Sequence, residues 1–188
     1  MERRELLKMI ALATGSAFIG GELFLAGCKN APSIGGDTFS EADITFLDEV
    51  AETILPRTKT PGAKDAAVGA FMTVMVNDCY DKKDQKTFHE GIKKLDEACE
   101  KTHKAGFMKA TPEQRTSLLT TLDKEAKDYQ KSKKDGEPSH YFTMMKQLTL
   151  LGFFTSKPGA TEALRHKAVP GKYDGNYPYK KGDRAWAE

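Results

Sequence analysis

The chain has 188 residues and sets 29 Lys and Arg against 27 Asp and Glu, a formal net charge of +2. Both signs are interspersed, so there is no electrostatic footprint for nucleic acid. Less the N-terminal segment treated next, about 160 residues remain, enough for one domain with a core and too few for two.

Arg3 and Arg4 precede an apolar run that closes at Leu25-Ala26-Gly27-Cys28. A basic head, an apolar middle and a small-residue exit read as a bacterial export signal over residues 1–27. The Arg pair in Glu2-Arg3-Arg4-Glu5-Leu6 resembles the twin-arginine signal of proteins exported already folded, with Glu2 in place of its usual Ser or Thr and Leu6 in place of Phe. Leu-Ala-Gly-Cys resembles a lipoprotein box, which makes Cys28 the lipidated first residue of the mature protein. The alternative is a transmembrane anchor over Met9–Leu25. That run of about 17 residues is at the bottom of the spanning range and is interrupted by Gly15, Gly20, Gly21 and Glu22. The expected location is periplasmic, lipid-anchored to a cell-envelope membrane.

Residues 28–39 are expected to be a tether, since Lys29–Thr38 contains Pro32, Ser33, Gly35 and Gly36 and no apolar period. The domain, residues 40–188, opens on Ser40-Glu41-Ala42-Asp43, a near capping box. Ile44, Leu47, Val50, Ala51, Ile54 and Leu55 then repeat at helical spacing until Pro56. A turn at Pro61-Gly62 leads to a second helix, Ala66–Tyr80, with Val68, Phe71, Met72, Met75, Val76 and Cys79 on one face. After a charged turn at Asp81–Asp84, Phe88, Ile92, Leu95 and Cys99 mark a third. Thr111-Pro112-Glu113-Gln114 is a complete start signal, with an N-cap Thr, Pro at the first helical position and Gln closing the box. Leu118, Leu119, Leu122, Ala126 and Tyr129 continue this fourth helix. Ser139 is expected to open a fifth, with Phe142, Met145, Leu148, Thr149 and Gly152 buried and Tyr141, Met144 and Leu151 widening the stripe. Residues 156–188 hold a short helical piece near Ala160–Leu164, then an irregular tail rich in Tyr and Pro that carries Trp186. The pattern predicts an all-α fold of about five main helices in one domain, with an irregular aromatic tail.

Chemistry-bearing motifs are few. No Gly-rich dinucleotide fingerprint follows a strand, and neither Cys79 nor Cys99 stands in a Cys-x-x-Cys-His haem site. His89, His103, His140 and His166 include no pair at the three- or four-residue spacing that turns two imidazoles toward one metal. The expectation is therefore no catalytic, cofactor-binding or metal site in this chain. Cys79 ends one helix and Cys99 lies well into the next, about 20 Å along its axis, so two separate thiols are expected and not a bridge.

Two segments resemble the gluconate 2-dehydrogenase subunit 3 family. One is Ala51-Glu52-Thr53-Ile54-Leu55-Pro56-Arg57-Thr58 through Thr60-Pro61-Gly62-Ala63-Lys64 to Gly69-Ala70-Phe71. The other is Leu150-Leu151-Gly152-Phe153-Phe154-Thr155-Ser156, with Pro158-Gly159-Ala160, Val169-Pro170-Gly171 and Gly182-Asp183-Arg184-Ala185-Trp186. The resemblance implies a helical, cofactor-free accessory subunit. Its implied partner is a large FAD-dependent flavoprotein of the glucose-methanol-choline oxidoreductase type, with a cytochrome taking the electrons onward in several systems. A folded-protein export signal fits that picture, because a flavoenzyme loaded with FAD crosses the membrane folded, and one signal serves both proteins once they have docked.

The candidate partner interface is Phe153, Phe154, Tyr173, Tyr177, Tyr179 and Trp186, since Tyr and Trp join an apolar body to a polar tip. The competing reading packs these residues onto their own domain. Two other functions stay open at this point: a free-standing envelope lipoprotein with a binding or structural role, and a small hydrolase using Cys79 or Cys99 with a histidine.

Overall fold

Local sequence sets most of the helix ends. A computed structural model describes residues 34–187; Arg3, Arg4, Cys28 and the Met9–Leu25 run lie outside the described residues. Helix α1 spans Glu41–Ile54, and its capping box is complete: Ser40 Oγ accepts the Asp43 N–H, and the Asp43 carboxylate accepts the Ser40 N–H at 2.8 Å. Helix α2 is Val68–Cys79, α3 is Lys82–His103, α4 is Pro112–Ser132 and α5 is Tyr141–Thr155. Thr111 and Gln114 form the second complete box, with Pro112 at the first helical position of α4. The fold is all-α, as expected from the periodicity. Short 3-10 turns at Lys64–Ala66 and Phe107–Lys109 join the helices.

Helix α5 is the hub, packing against each of the other four. Seven of its fifteen residues are buried, Phe142, Met144, Met145, Leu148, Thr149, Gly152 and Phe153, which accounts for a stripe wider than one helical face. The Thr149 hydroxyl, fully buried, donates to Met145 O at 2.8 Å, so the hub carries no orphaned donor there. Phe46, Leu47, Val50, Met72, Val76, Phe88, Ile92, Leu95 and Phe107 complete the core with no exposure at all. Large apolar side chains of this kind stabilise the fold by about 1.5–3 kcal/mol each on burial.

Several expectations are corrected. Ile34–Thr38, the described part of the expected tether, is held to the domain: Gly35 N–H donates to the buried Asp43 Oδ1 at 2.6 Å, and next to it Phe39 stacks on His89 at 4.2 Å between ring centroids. The charged run Asp81–Asp84 is mostly helix, because Asp81 accepts the N–H groups of Lys83 and Asp84 and caps α3 itself. Helix α2 starts two residues late, since Ala67 takes a left-handed conformation, φ +50° and ψ +45°. His140, not Ser139, caps α5: its Nδ1 accepts the Phe142 N–H at 3.3 Å. Cys79 is exposed despite its helical spacing, as the last residue of α2. Leu151, expected to widen the buried stripe of α5, is 45% exposed. Among the described residues no helix is long and apolar enough to cross a membrane.

Candidate functional site

The first resembling segment is a latch between α1 and α2. Three carboxylates on α1 hold the intervening loop and the start of α2, and two of them accept backbone N–H groups: Glu52 takes Arg57 at 2.8 Å and Lys64 at 2.9 Å, and Asp48 takes Gly69 at 2.7 Å. The third, Glu49, pairs with the Lys64 ammonium and with Arg115 of α4. Asp65 closes the loop on itself by accepting the Gly62 N–H at 2.8 Å and pairing with Arg57. Two glycines permit the close approach. A Cβ on Gly62 would lie 2.5 Å from Arg57 N and from the Glu52 carboxylate, and one on Gly69 would lie 2.5 Å from Ile44 O. Asp48 thereby caps the first turn of α2, which has no side-chain cap of its own, and places a negative charge at that helix's positive end. Burial nevertheless raises the Asp48 pKa above the usual carboxylate value, outweighing the opposing effect of the Gly69 N–H.

Arg115 extends the latch to the rest of the bundle. Its Nε donates to Phe107 O and its Nη2 to Met108 O, both at 2.9 Å, its Nη1 meets Glu49 at 2.5 Å, and the guanidinium lies 5.3 Å from the Phe107 ring centroid. Glu49, Glu52 and Asp48, with Lys64 and Arg115, are thus occupied in holding α1, the loop, α2 and α4 together. The second segment is used the same way. Gly152 packs beneath the Phe71 ring, and Ser156 Oγ donates to Phe153 O at 2.6 Å and accepts the Gly159 N–H at 3.1 Å, turning the chain out of α5.

Beyond that turn the chain forms an arm. A single wide helical turn, Gly159–Ala163, leads to strand β1, Arg165–His166, which pairs in parallel with β2, Trp186–Ala187. Arg165 N–H donates to Ala185 O at 2.8 Å and Lys167 N–H to Ala187 O at 3.0 Å. Arg184 Nη1 reaches the carbonyls of Thr161 and Glu162 at 3.1 and 2.6 Å. These bonds clasp residues 167–185 into a closed loop. At the clasp the Arg165 guanidinium sits 4.1 Å from the Trp186 ring centroid and 5.9 Å from that of Tyr177, and the two rings meet edge to face at 5.3 Å. Arg165 Nε is buried without a hydrogen-bond partner, so the aromatic faces hold this cation. The clasp and loop enclose a cleft of about 450 Å³ lined by Lys167, Lys172, Tyr173, Asp174, Tyr177 and Trp186 among others.

The six residues singled out from the sequence separate into two groups. Tyr173 is 95% exposed and Tyr179 74%, so neither packs onto its own domain. Tyr177, Trp186 and Phe154 are also exposed, though Tyr177 and Trp186 lean on each other. Phe153 is 4% exposed and belongs to the core, on the buried face of α5 with Thr149 and Gly152, while its neighbour Phe154 is exposed. The sequence pattern gave no signal for Arg165, which pairs with rings about ten and twenty residues away, nor for Val74, Leu150 and Leu151, which are exposed apolar side chains on α2 and α5.

The thiols do not form a catalytic pair. Both are free; Cys79 Sγ has only Met75 Sδ nearby, at 4.0 Å, and burial pushes the Cys99 thiol up, away from the thiolate that a nucleophile requires. The buried histidine, His89, packs its ring on Phe39, and burial lowers its pKa. Among the described residues no group of three or more His, Cys, Asp or Glu side chains converges to hold a metal ion.

A family model described as gluconate 2-dehydrogenase subunit 3 matches residues 41–171. The match contains the latch and the exit from α5 and stops at Gly171, so the Gly182–Trp186 string lies outside it. No curated protein and no solved structure matches the chain. With its matched region running from the first helix through the base of the arm, the chain belongs to the gluconate 2-dehydrogenase subunit 3 family, whose name makes it a subunit of a dehydrogenase complex.

Proposed function

We propose that this chain is the small, non-catalytic subunit of a periplasmic FAD-dependent sugar dehydrogenase, docking on a flavoprotein of the glucose-methanol-choline type. In this reading the signal at Arg3 and Arg4 exports the assembled pair, lipid on Cys28 tethers it, and catalysis and FAD stay with the large subunit. Family membership over residues 41–171 carries the proposal. Two features support it: the signature residues are engaged in helix packing and capping, and the largest aromatic surface is exposed on an arm.

The test is co-expression of the full chain with the large oxidoreductase encoded beside it. Recovery of a stoichiometric complex with a flavin spectrum, and dehydrogenase turnover only when the large subunit is present, is the expected result. Exchange of Arg3 and Arg4 for Lys should strand both proteins in the cytoplasm, and C28A should release the complex from the membrane fraction. Turnover by the small chain alone would overturn the reading, and so would a flavoprotein that reaches the periplasm equally well without it.

A further inference from the structure

The arm has a charge unlike that of the rest of the chain. Residues 165–187 contain six Lys and Arg, namely Arg165, Lys167, Lys172, Lys180, Lys181 and Arg184, against Asp174 and Asp183. That is a formal +4 in a chain whose total is +2, so the remainder is net negative. Both aspartates are engaged locally: Asp174 accepts the Asn176 N–H at 3.1 Å and Asp183 the Lys180 N–H at 2.9 Å. Among the described residues no carboxylate pairs with Lys167, Lys172, Lys180 or Lys181, all of which are exposed. Interleaved with them stand Val169, 78% exposed, Tyr173 and Tyr179. Because the strand pair and Arg184 close the loop at its base, its ordering cost is partly met before anything binds.

The arm and the point where the described chain enters the domain lie toward opposite ends of α5. The chain enters the domain at Ile34 and Gly35, against His89 and Lys93 of α3, one turn from Gly91, on which Tyr141 at the start of α5 rests. The arm leaves from the other end of α5, roughly 20 Å away along a 15-residue helix.

We infer that the clasped arm, residues 165–187, is a preformed cationic and aromatic docking loop for an acidic patch on the protein partner. Lys167, Lys172, Lys180 and Lys181 steer the encounter, and Tyr173, Tyr179 and Val169 supply the contact area that is desolvated on docking. This rests on the reading of the chain as a dehydrogenase subunit. The experiment uses the full chain and the purified FAD-loaded oxidoreductase encoded beside it, with association measured at low and moderate salt. K172E/K180E/K181E, made at exposed positions away from the clasp, should slow association about tenfold or more at low salt and flatten its salt dependence. Y173A/Y179A should raise the dissociation rate while leaving the salt dependence intact. Both should melt as the unaltered chain does. Unaltered chain that binds, with both variants binding equally well, overturns the inference and spares the subunit reading. Charge-reversed chain that keeps the oxidoreductase but loses vesicles of phosphatidylglycerol and phosphatidylcholine also overturns it, assigning the arm to lipid. Unaltered chain that fails to bind the oxidoreductase overturns both.

Discussion

Replacing Gly91 with Ala sets two opposing effects against each other inside α3. On helix propensity alone, Ala in place of Gly stabilises an interior position by about 1 kcal/mol. The structure reverses the sign. A Cβ at Gly91 would come within 2.7 Å of Tyr141 Cγ and 2.8 Å of Cδ2, and closer still to Tyr141 Cβ, where carbon atoms prefer about 3.5–4.0 Å. Because Tyr141 Cβ is fixed to the backbone of α5, no rotamer change relieves the clash, and the α3–α5 seam must open by about 1 Å. Overpacking of this kind costs about 3 kcal/mol at the upper end of its usual range, so the net loss is about 2 kcal/mol. For a chain of this size that lowers Tm by roughly 4–8 °C. Urea and thermal unfolding of G91A beside the unaltered chain measure it. A second readout is the Tyr141 phenol, which burial pushes up to about 12; opening the seam solvates it and brings it down, visible as an earlier phenolate absorbance. A G91A chain as stable as the original, or more so, would refute the argument from close approach.

The Asp48 cap of α2 yields a paired prediction. D48A leaves the Gly69 N–H unsatisfied and should cost about 1–2 kcal/mol in urea unfolding, whereas D48N keeps an acceptor oxygen, removes a charge disfavoured by burial, and should retain most of the stability. Burial lowers the pKa of both His89 and His140 below the ordinary value of 6.5, and His140 Nδ1 needs its lone pair to cap α5. The unfolded chain thus takes up protons first: stability is full above the unfolded value and falls as pH drops through it toward the folded values, so unfolding at pH 7 and pH 5 should differ, and H89F/H140N should reduce the difference. Alkylation of the native chain should label Cys79 rapidly and Cys99 only on unfolding, with no Cys79–Cys99 bridge within one chain after mild oxidation; equal labelling rates would contradict the burial of Cys99.

What could be read from the sequence was what short-range chemistry decides. Ser40 with Asp43 and Thr111 with Pro112 and Gln114 act within one turn, so their letters announce the helix starts. Phe88, Ile92, Leu95 and Cys99 hold their period over several turns and are buried as expected. Where a residue's partner is remote, the letters are silent. Asp48 caps a helix whose Gly69 lies 21 residues on, and Glu49 meets Arg115 across 66. His140 displaced Ser139 as a cap because an imidazole nitrogen can accept where a hydroxyl is the usual signal. The aromatic surface was legible as composition, while its closure into an arm was not, since it depends on Arg165 pairing with Trp186 through a two-residue parallel ladder. Phe153 and Phe154, adjacent letters about 100° apart on α5, meet edge to face at 5.1 Å, yet the first is buried and the second exposed, which the letters alone do not distinguish.

The α1 latch changes what kinship by this signature can tell. Its Glu, Asp and Gly letters specify how a loop is pinned to a helix. Two proteins sharing the string share a pinned corner in their scaffold, and that corner says nothing about what their dehydrogenase partners act on. If the arm docks the partner as inferred, partner choice resides there and not in this corner, and swapping arms between relatives is the direct way to exchange their companions.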